Sequence, residues 1–179
     1  MELRDVSQPL RGSGFKVFEE TLEKGGIIKA LCVKGGGSFS RKEIEDLIPV
    51  VETYGAKGLA WAKVGAEGWQ SPIQKFLTPE KMKGVEERCE ASANDLLLFV
   101  ADLPRVVNQA LGNLRLHLAG KLGMIPADVY RFVWIVDFPL LEYDETEKRF
   151  MAVHHPFYAS KDGELPKLKD QPEDVKAKA

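Results

Sequence analysis

Two adjacent histidines, His154 and His155, precede Pro156 at the end of residues 131–157, which read RFVWIVDFPLLEYDETEKRFMAVHHPF. A neutral imidazole offers one donor and one acceptor and titrates near neutrality, so it can hold an ammonium or a carboxylate. Neighbouring side chains at a strand end point to opposite sides, which makes a shared metal difficult. One ring could face a pocket while the other is held in its wall, with Pro156 fixing the backbone exit. On residue type alone, a functional and a structural role for the pair both stay open.

Other candidates read more simply. Glu142, Asp144, Glu145 and Glu147 stand beside Lys148 and Arg149 in what reads as a hairpin turn. Catalytic carboxylates need burial or a charged neighbour to move their pKa, so a solvated turn is the expectation. Gly35, Gly36, Gly37 and Ser38 lie between a strand and a helix, a place where anions bind. Neither the GxGxxG nor the GxxxxGK[ST] spacing is present, so a turn followed by a helix cap is expected. His117 falls on a long helix and reads as an exposed or hydrogen-bonded helix residue. Cys32 and Cys89 are far apart and form no disulfide framework or zinc set, so buried thiols in a reducing compartment are expected. The patterns assign no metal ligands and no catalytic group.

With 179 residues the chain holds one ordinary domain, or one domain plus part of another. A net charge of -2 lacks the basic footprint of a dedicated nucleic-acid binder but leaves a local patch possible. The first residues, MELRDVSQPLRGSG, contain no apolar signal core, and no window approaches the roughly 18 apolar residues of a membrane span. A soluble, cytoplasmic protein with no membrane partner is expected.

The elements that must position these residues follow from periodicity. Residues 1–14 read as short and irregular, broken by Pro9, Gly12 and Gly14. A helix is expected over 15–24, closed by Gly25 and Gly26, then a strand over 27–33. Ser40 and Glu43 form a capping-box pattern before a helix carrying Ile44, Leu47, Ile48 and Val51, in which Pro49 predicts a kink. A strand over 59–64 and a returning strand or extended segment over 69–73 precede a helix from Pro79 to about Cys89, capped by Thr78. The near-continuous apolar run 95–101 is a strand. A helix from Asp102 and Pro104 to Leu122 follows, its stripe being Leu103, Val107, Leu111, Leu114, Leu118 and Leu122. This order suggests a two-layer domain of helices and strands over 15–122. After Pro126 the pattern changes to a hairpin, and the charged stretch 167–179 reads as the start of a further helix.

Several segments together carry a resemblance. They are FKVF at 15–18, IIKALCVKGGGSFSRKEIEDL at 27–47, YGAKGLAW at 54–61, QSPIQKFL at 70–77, DLLLFVAD at 95–102 and VVNQALGNLRLHLA at 106–119. In that order they resemble the GAD insertion domain of bacterial-type aspartyl-tRNA synthetases. WIVDFPLLEYDE and AVHHPF resemble the return from that insertion to the class II catalytic domain, and residues 1–18 resemble the lead-in.

The resemblance implies an α+β fold: a two-layer GAD-type domain with a mainly antiparallel sheet, then an incomplete strand-hairpin segment of a class II catalytic sheet. Its divisions are a lead-in at 1–14, the GAD insertion domain at 15–125 and a partial catalytic segment at 126–179. It also implies that His154, with His155 beside it, helps bind the substrate aspartate. The intact parent would attach aspartate to tRNA(Asp) using ATP and Mg2+, and would be a homodimer. Nothing in the chain resembles the class II motif that supplies an arginine to ATP, the glycine- and arginine-containing motif that completes the ATP site, or the anticodon-binding barrel. No cofactor is therefore expected on this chain, and the chain alone should be inactive, since adenylate formation rests on positioning and charge stabilisation. The alternative is a free-standing GAD-type module that binds tRNA or a translation partner.

Overall fold

Five consecutive large apolar residues, Leu96, Leu97, Leu98, Phe99 and Val100, leave a strand no polar side, so it is stable only when covered on both faces. In the computed structural model, which describes residues 1–144, 146–153 and 158–178, that requirement organises the first of two compact units, Met1–Pro126 and Ala127–Ala179.

The first unit runs β1 (Leu3–Asp5), α1 (Ser7–Leu10), α2 (Lys16–Glu23), β2 (Ile27–Val33), α3 (Arg41–Glu45), α4 (Ile48–Glu52), β3 (Ala60–Gly65), β4 (Gly68–Gln70), α5 (Pro79–Cys89), β5 (Leu96–Asp102) and α6 (Pro104–Lys121). Its sheet has the order β1-β2-β5-β3-β4, with every neighbouring pair antiparallel. The α+β, antiparallel class implied by the resemblance is therefore present. Strand alternation divides the core. Ile28, Ala30, Cys32, Ala62, Leu97 and Phe99 turn to one side, against Leu10 of α1, Phe18 and Leu22 of α2 and Val85 of α5. Leu31, Val33, Leu96, Leu98 and Val100 turn to the other, against Ile44 of α3, Val51 of α4 and Val107, Leu111, Leu114 and Leu118 of α6. Helices thus cover both faces, because β5 has no side that water could cover.

Four local expectations are corrected. Residues 1–14 are not irregular: β1 pairs with β2, and Val6 and Leu10 are fully buried. The Ser7 hydroxyl accepts from the Ile28 N–H at 2.9 Å and locks this corner to the sheet. Elements of three and four residues are too short to show a period, which is why the pattern was not visible. Second, Pro49 does not kink a continuous helix. The chain breaks after α3, and Pro49 sits in the first turn of α4, where an N–H has no helical acceptor to lose. Third, the strand or extended segment expected over 69–73 ends as a strand at Gln70 and turns at 72–73. Ser71 turns its hydroxyl onto the Trp61 carbonyl at 2.6 Å, Pro72 cannot donate to a ladder, and a 3-10 turn follows at Gln74–Phe76. Fourth, the ends of the α6 stripe, Leu103 and Leu122, are exposed.

In the second unit, β6 (Leu141–Asp144) and β7 (Arg149–Ala152) form an antiparallel hairpin, with Tyr143 edge-on to its cross-strand partner Phe150 at 5.2 Å. The apolar run 132–136 forms no strand, and Trp134 is 95% exposed. The helix expected toward the C-terminus is absent among the described residues. Short 3-10 turns at Leu165–Leu168 and Pro172–Asp174 are followed by an extended segment, 175–178. There Leu140 N–H donates to the Val175 carbonyl at 2.8 Å and Lys161 N–H to the Lys176 carbonyl at 2.8 Å, while Glu164 accepts the Lys176 N–H at 2.6 Å. Prolines 166 and 172 and these tertiary hydrogen bonds outweigh the helix propensity of the lysines.

Because Pro49 lies in a first turn, Pro49→Ala should change stability by less than about 1 kcal/mol. Leu98→Ala, which opens a cavity beneath α6, should cost about 3 kcal/mol. Urea unfolding followed by circular dichroism measures both, and a gain of about 3 kcal/mol in Pro49→Ala would show that the helix is continuous through residue 49.

Candidate functional site

The hairpin turn is built by its own acids. The Asp144 carboxylate accepts the N–H groups of Thr146 at 2.8 Å and Glu147 at 3.0 Å, a local arrangement that closes a turn. Glu147 faces Arg149 at 3.6 Å, and both are exposed. These groups form a solvated turn, as expected, and among the described residues no three His, Cys, Asp or Glu side chains gather to hold a metal. His117 is exposed on α6. His154 and His155, with Glu145, lie outside the described residues.

The glycine run is a packing device. Gly35 takes a left-handed conformation (φ 69°) and gives its N–H to Asp95 Oδ1 at 2.9 Å. Gly37 N–H donates to the Asn94 carbonyl at 2.8 Å. A Cβ on Gly37 would meet Asn94 Oδ1 at 2.7 Å, so glycine is needed for close approach. The amides a phosphate would use at these two glycines are already bonded.

Asp95 is the hub of this corner. It is buried and accepts the N–H of Ser92 at 2.8 Å and the ammonium of Lys34 at 2.9 Å, in addition to Gly35. Burial, the largest single influence, pushes its carboxyl up, but the Gly35 and Ser92 N–H groups and Lys34 together hold it below the ordinary value. Cys32 Sγ sits 3.7 Å from Asp95 Oδ2, and burial followed by the Asp95 charge pushes that thiol up to about 11. Burial, then Cys32, pushes Cys89 up to about 12. Neither thiol supplies a nucleophile at neutral pH.

A feature the sequence did not disclose lies on the α2 face of the sheet. A groove of about 720 Å³ opens there, floored by Ala60, Phe99 and Ala101 and walled by Phe15, Phe18 and Ile73. Glu20, Lys24, Lys57 and Asp102 stand at its rim. Its origin is cross-strand register: Ala60 lies opposite Phe99, and Ala101 lies two residues further along the same strand. Small residues at those two positions leave a hollow where larger neighbours would fill the face. Only the pairing of β3 with β5 brings the two alanines together, and no motif announces it.

Residues 18–111, over half of the chain, match the model of the GAD domain. The chain belongs to the GAD domain family. The match holds the glycine turn, Asp95 and most of the groove; β1 and α1 precede it yet share its core. Along its full 179 residues the chain is 52% identical to an aspartate–tRNA(Asp/Asn) ligase of Geotalea uraniireducens (strain Rf4), covering 30% of that protein. It is 48% identical, over 179 residues and 30% of the relative, to the ligase of the same name from Halothermothrix orenii. It is 49% identical to an aspartate–tRNA ligase of Staphylococcus carnosus (strain TM300), aligning over 180 residues and 31% of that protein. The chain thus spans under a third of the length of the curated relatives it matches. No helix among the described residues is long and apolar enough to cross a membrane.

Within the GAD domain, Asp95 sets a pH dependence whose sign is fixed. A carboxyl held below its ordinary 3.8 contributes stability that is present above that value and lost as pH falls through the lowered folded value. Asp95→Asn should therefore cost about 2 kcal/mol at pH 7, where the Gly35 and Ser92 N–H groups and Lys34 lose their anion. Its stability should then change less than that of the parent chain between pH 5 and pH 2. Urea midpoints across that range test this, and parallel pH profiles would remove Asp95 from the role.

Proposed function

We propose that this chain works as part of an aspartate–tRNA ligase. It contributes a lead-in from the catalytic domain at 1–14, the GAD insertion domain at 15–125 and a segment of the class II catalytic domain at 126–179. The observation that carries the reading is alignment of the whole chain, GAD domain and hairpin segment alike, with ligases of that name at 48–52% identity. In the whole enzyme the aspartate carboxylate attacks the α-phosphorus of ATP, pyrophosphate leaves, and the aspartyl group passes to tRNA(Asp). The relatives' shared name adds tRNA(Asn) as a second acceptor. The enzyme acts in the cytoplasm as a homodimer, a setting the family resemblance supplies.

The described residues do not fit Mg2+ or the triphosphate. The Asp144 carboxylate closes its own turn, the Gly35 and Gly37 amides are bonded within the fold, and no acidic cluster stands ready for a cation. We assign ATP and Mg2+ to other parts of the ligase, so this chain carries out no step on them. His154, with His155 at its side, is assigned to recognition of aspartate: a neutral imidazole can accept from the substrate ammonium or donate to its carboxylate. Neither histidine is assigned a catalytic role.

Two measurements test the proposal. The purified 179-residue chain should show no aspartate-dependent pyrophosphate exchange; exchange at the rate of an intact ligase would refute it. In the full-length ligase bearing this segment, His154→Ala should raise the KM for aspartate by about tenfold and leave that for ATP nearly unchanged, as expected for one lost hydrogen bond to a charged group. An unchanged aspartate KM would take His154 out of the pocket. A salt-sensitive complex between the isolated chain and tRNA would favour a free-standing module.

A further inference from the structure

We propose that the groove on the α2 face of the GAD domain is a binding site for a small organic anion with an aromatic body, an aryl-alkyl carboxylate. Its volume of about 720 Å³ falls in the range of small-molecule sites, which are concave, mostly apolar and carry a few polar groups at fixed places. The floor is shaped by the strands themselves: Phe99 lies between Ala60, its cross-strand partner on β3, and Ala101, two residues along β5. Phe15 stands edge-on to Phe18 at 4.8 Å and forms an aromatic wall. Phe18 and Phe99 are themselves buried with their ring centroids 6.3 Å apart, so a planar ring would lie over Ala60 and Ala101 beside the half-buried Phe15, and would replace water there with contacts of the kind aromatic side chains make with one another.

The rim decides the charge of the ligand. Each of its carboxylates already faces a cation. Glu20 stands 3.5 Å from Lys16, and Asp102 stands 3.9 Å from Lys57 while also accepting the Leu103 N–H at 2.8 Å. Thr21 is occupied too, its hydroxyl donating to the Val17 carbonyl at 2.8 Å. Lys57 is matched by Asp102 at 3.9 Å, so the cation left over is Lys24, which has no carboxylate within ion-pair distance among the described residues. The unmatched charge at the mouth is therefore positive. A carboxylate at the end of a short alkyl arm complements it, whereas an amine would find its anions already paired. The site is independent of the ligase reading, since groove and rim belong to the GAD domain alone.

The test uses the full chain, 15N-labelled, titrated with indole-3-propionate and, in parallel, with 3-(indol-3-yl)propan-1-ol, which has the same body without the charge. The acid should give saturable amide shifts at Thr21, Gly26, Leu59, Phe99 and Ala101, and the alcohol should bind about fivefold more weakly, the size of an exposed charge contact. Lys24→Glu should bring the acid down to the level of the alcohol or below. Ala101→Leu, which fills the floor, should abolish binding of both while leaving the rest of the spectrum unchanged. Absence of saturable shifts, shifts confined to the exposed run 132–136, equal affinity for acid and alcohol, or binding that survives Ala101→Leu would each overturn the proposal.

Discussion

A strand with no polar side is the constraint on which the first unit depends. β5 has Leu96, Leu98 and Val100 on one face and Leu97 and Phe99 on the other, so it can exist only in the middle of something. Burying one such side chain is worth roughly 1.5–3 kcal/mol, and this strand has five of them. Every other element can be described by how it helps. β2 and β3 take the two hydrogen-bonding edges, α2 and α5 close one face, and α6 with the two short helices closes the other. The turn entering β5 is tied by Asp95, whose carboxylate gathers amides from two separate loops.

That same strand also explains the groove. Ala101, near its end, and Ala60 opposite Phe99 add little bulk on the face that α2 covers. The apolar continuity that forces β5 to the centre therefore ends in a shallow, half-open hollow. A site can arise in this way without any recognisable motif, since what defines it is missing volume at two aligned positions.

How much could be read from the residues follows from the range of the forces involved. Elements fixed by local chemistry were legible. The 27–33 strand, the Ser40–Glu43 box, the Thr78 cap and the long α6 all stand where their residues indicate. What was not legible depends on partners distant in sequence. β1 and α1 exist because β2 offers them an edge, and the second covered face exists because α3, α4 and α6 converge on it. The 165–178 segment, lysine-rich and prolines aside suited to a helix, is drawn out by hydrogen bonds to residues up to about forty positions away. The histidines were legible as chemistry, but their role came through family resemblance, and the groove was not legible at all because register is not written in either strand alone.

The strand order β1-β2-β5-β3-β4 has a consequence for how the chain leaves the ribosome. The central strand is also the last of the five to be synthesised, so the two outer pairs, β1 with β2 and β3 with β4, emerge with their inner edges unclaimed. The β2 edge waits about seventy residues and the β3 edge about thirty before the strand that joins them arrives. Loop closure over such a span is slow compared with forming a hairpin, and unclaimed edges invite wrong partners. A nascent chain of this topology is most exposed to misassembly just before residue 102 appears, and is secured in one step once it does.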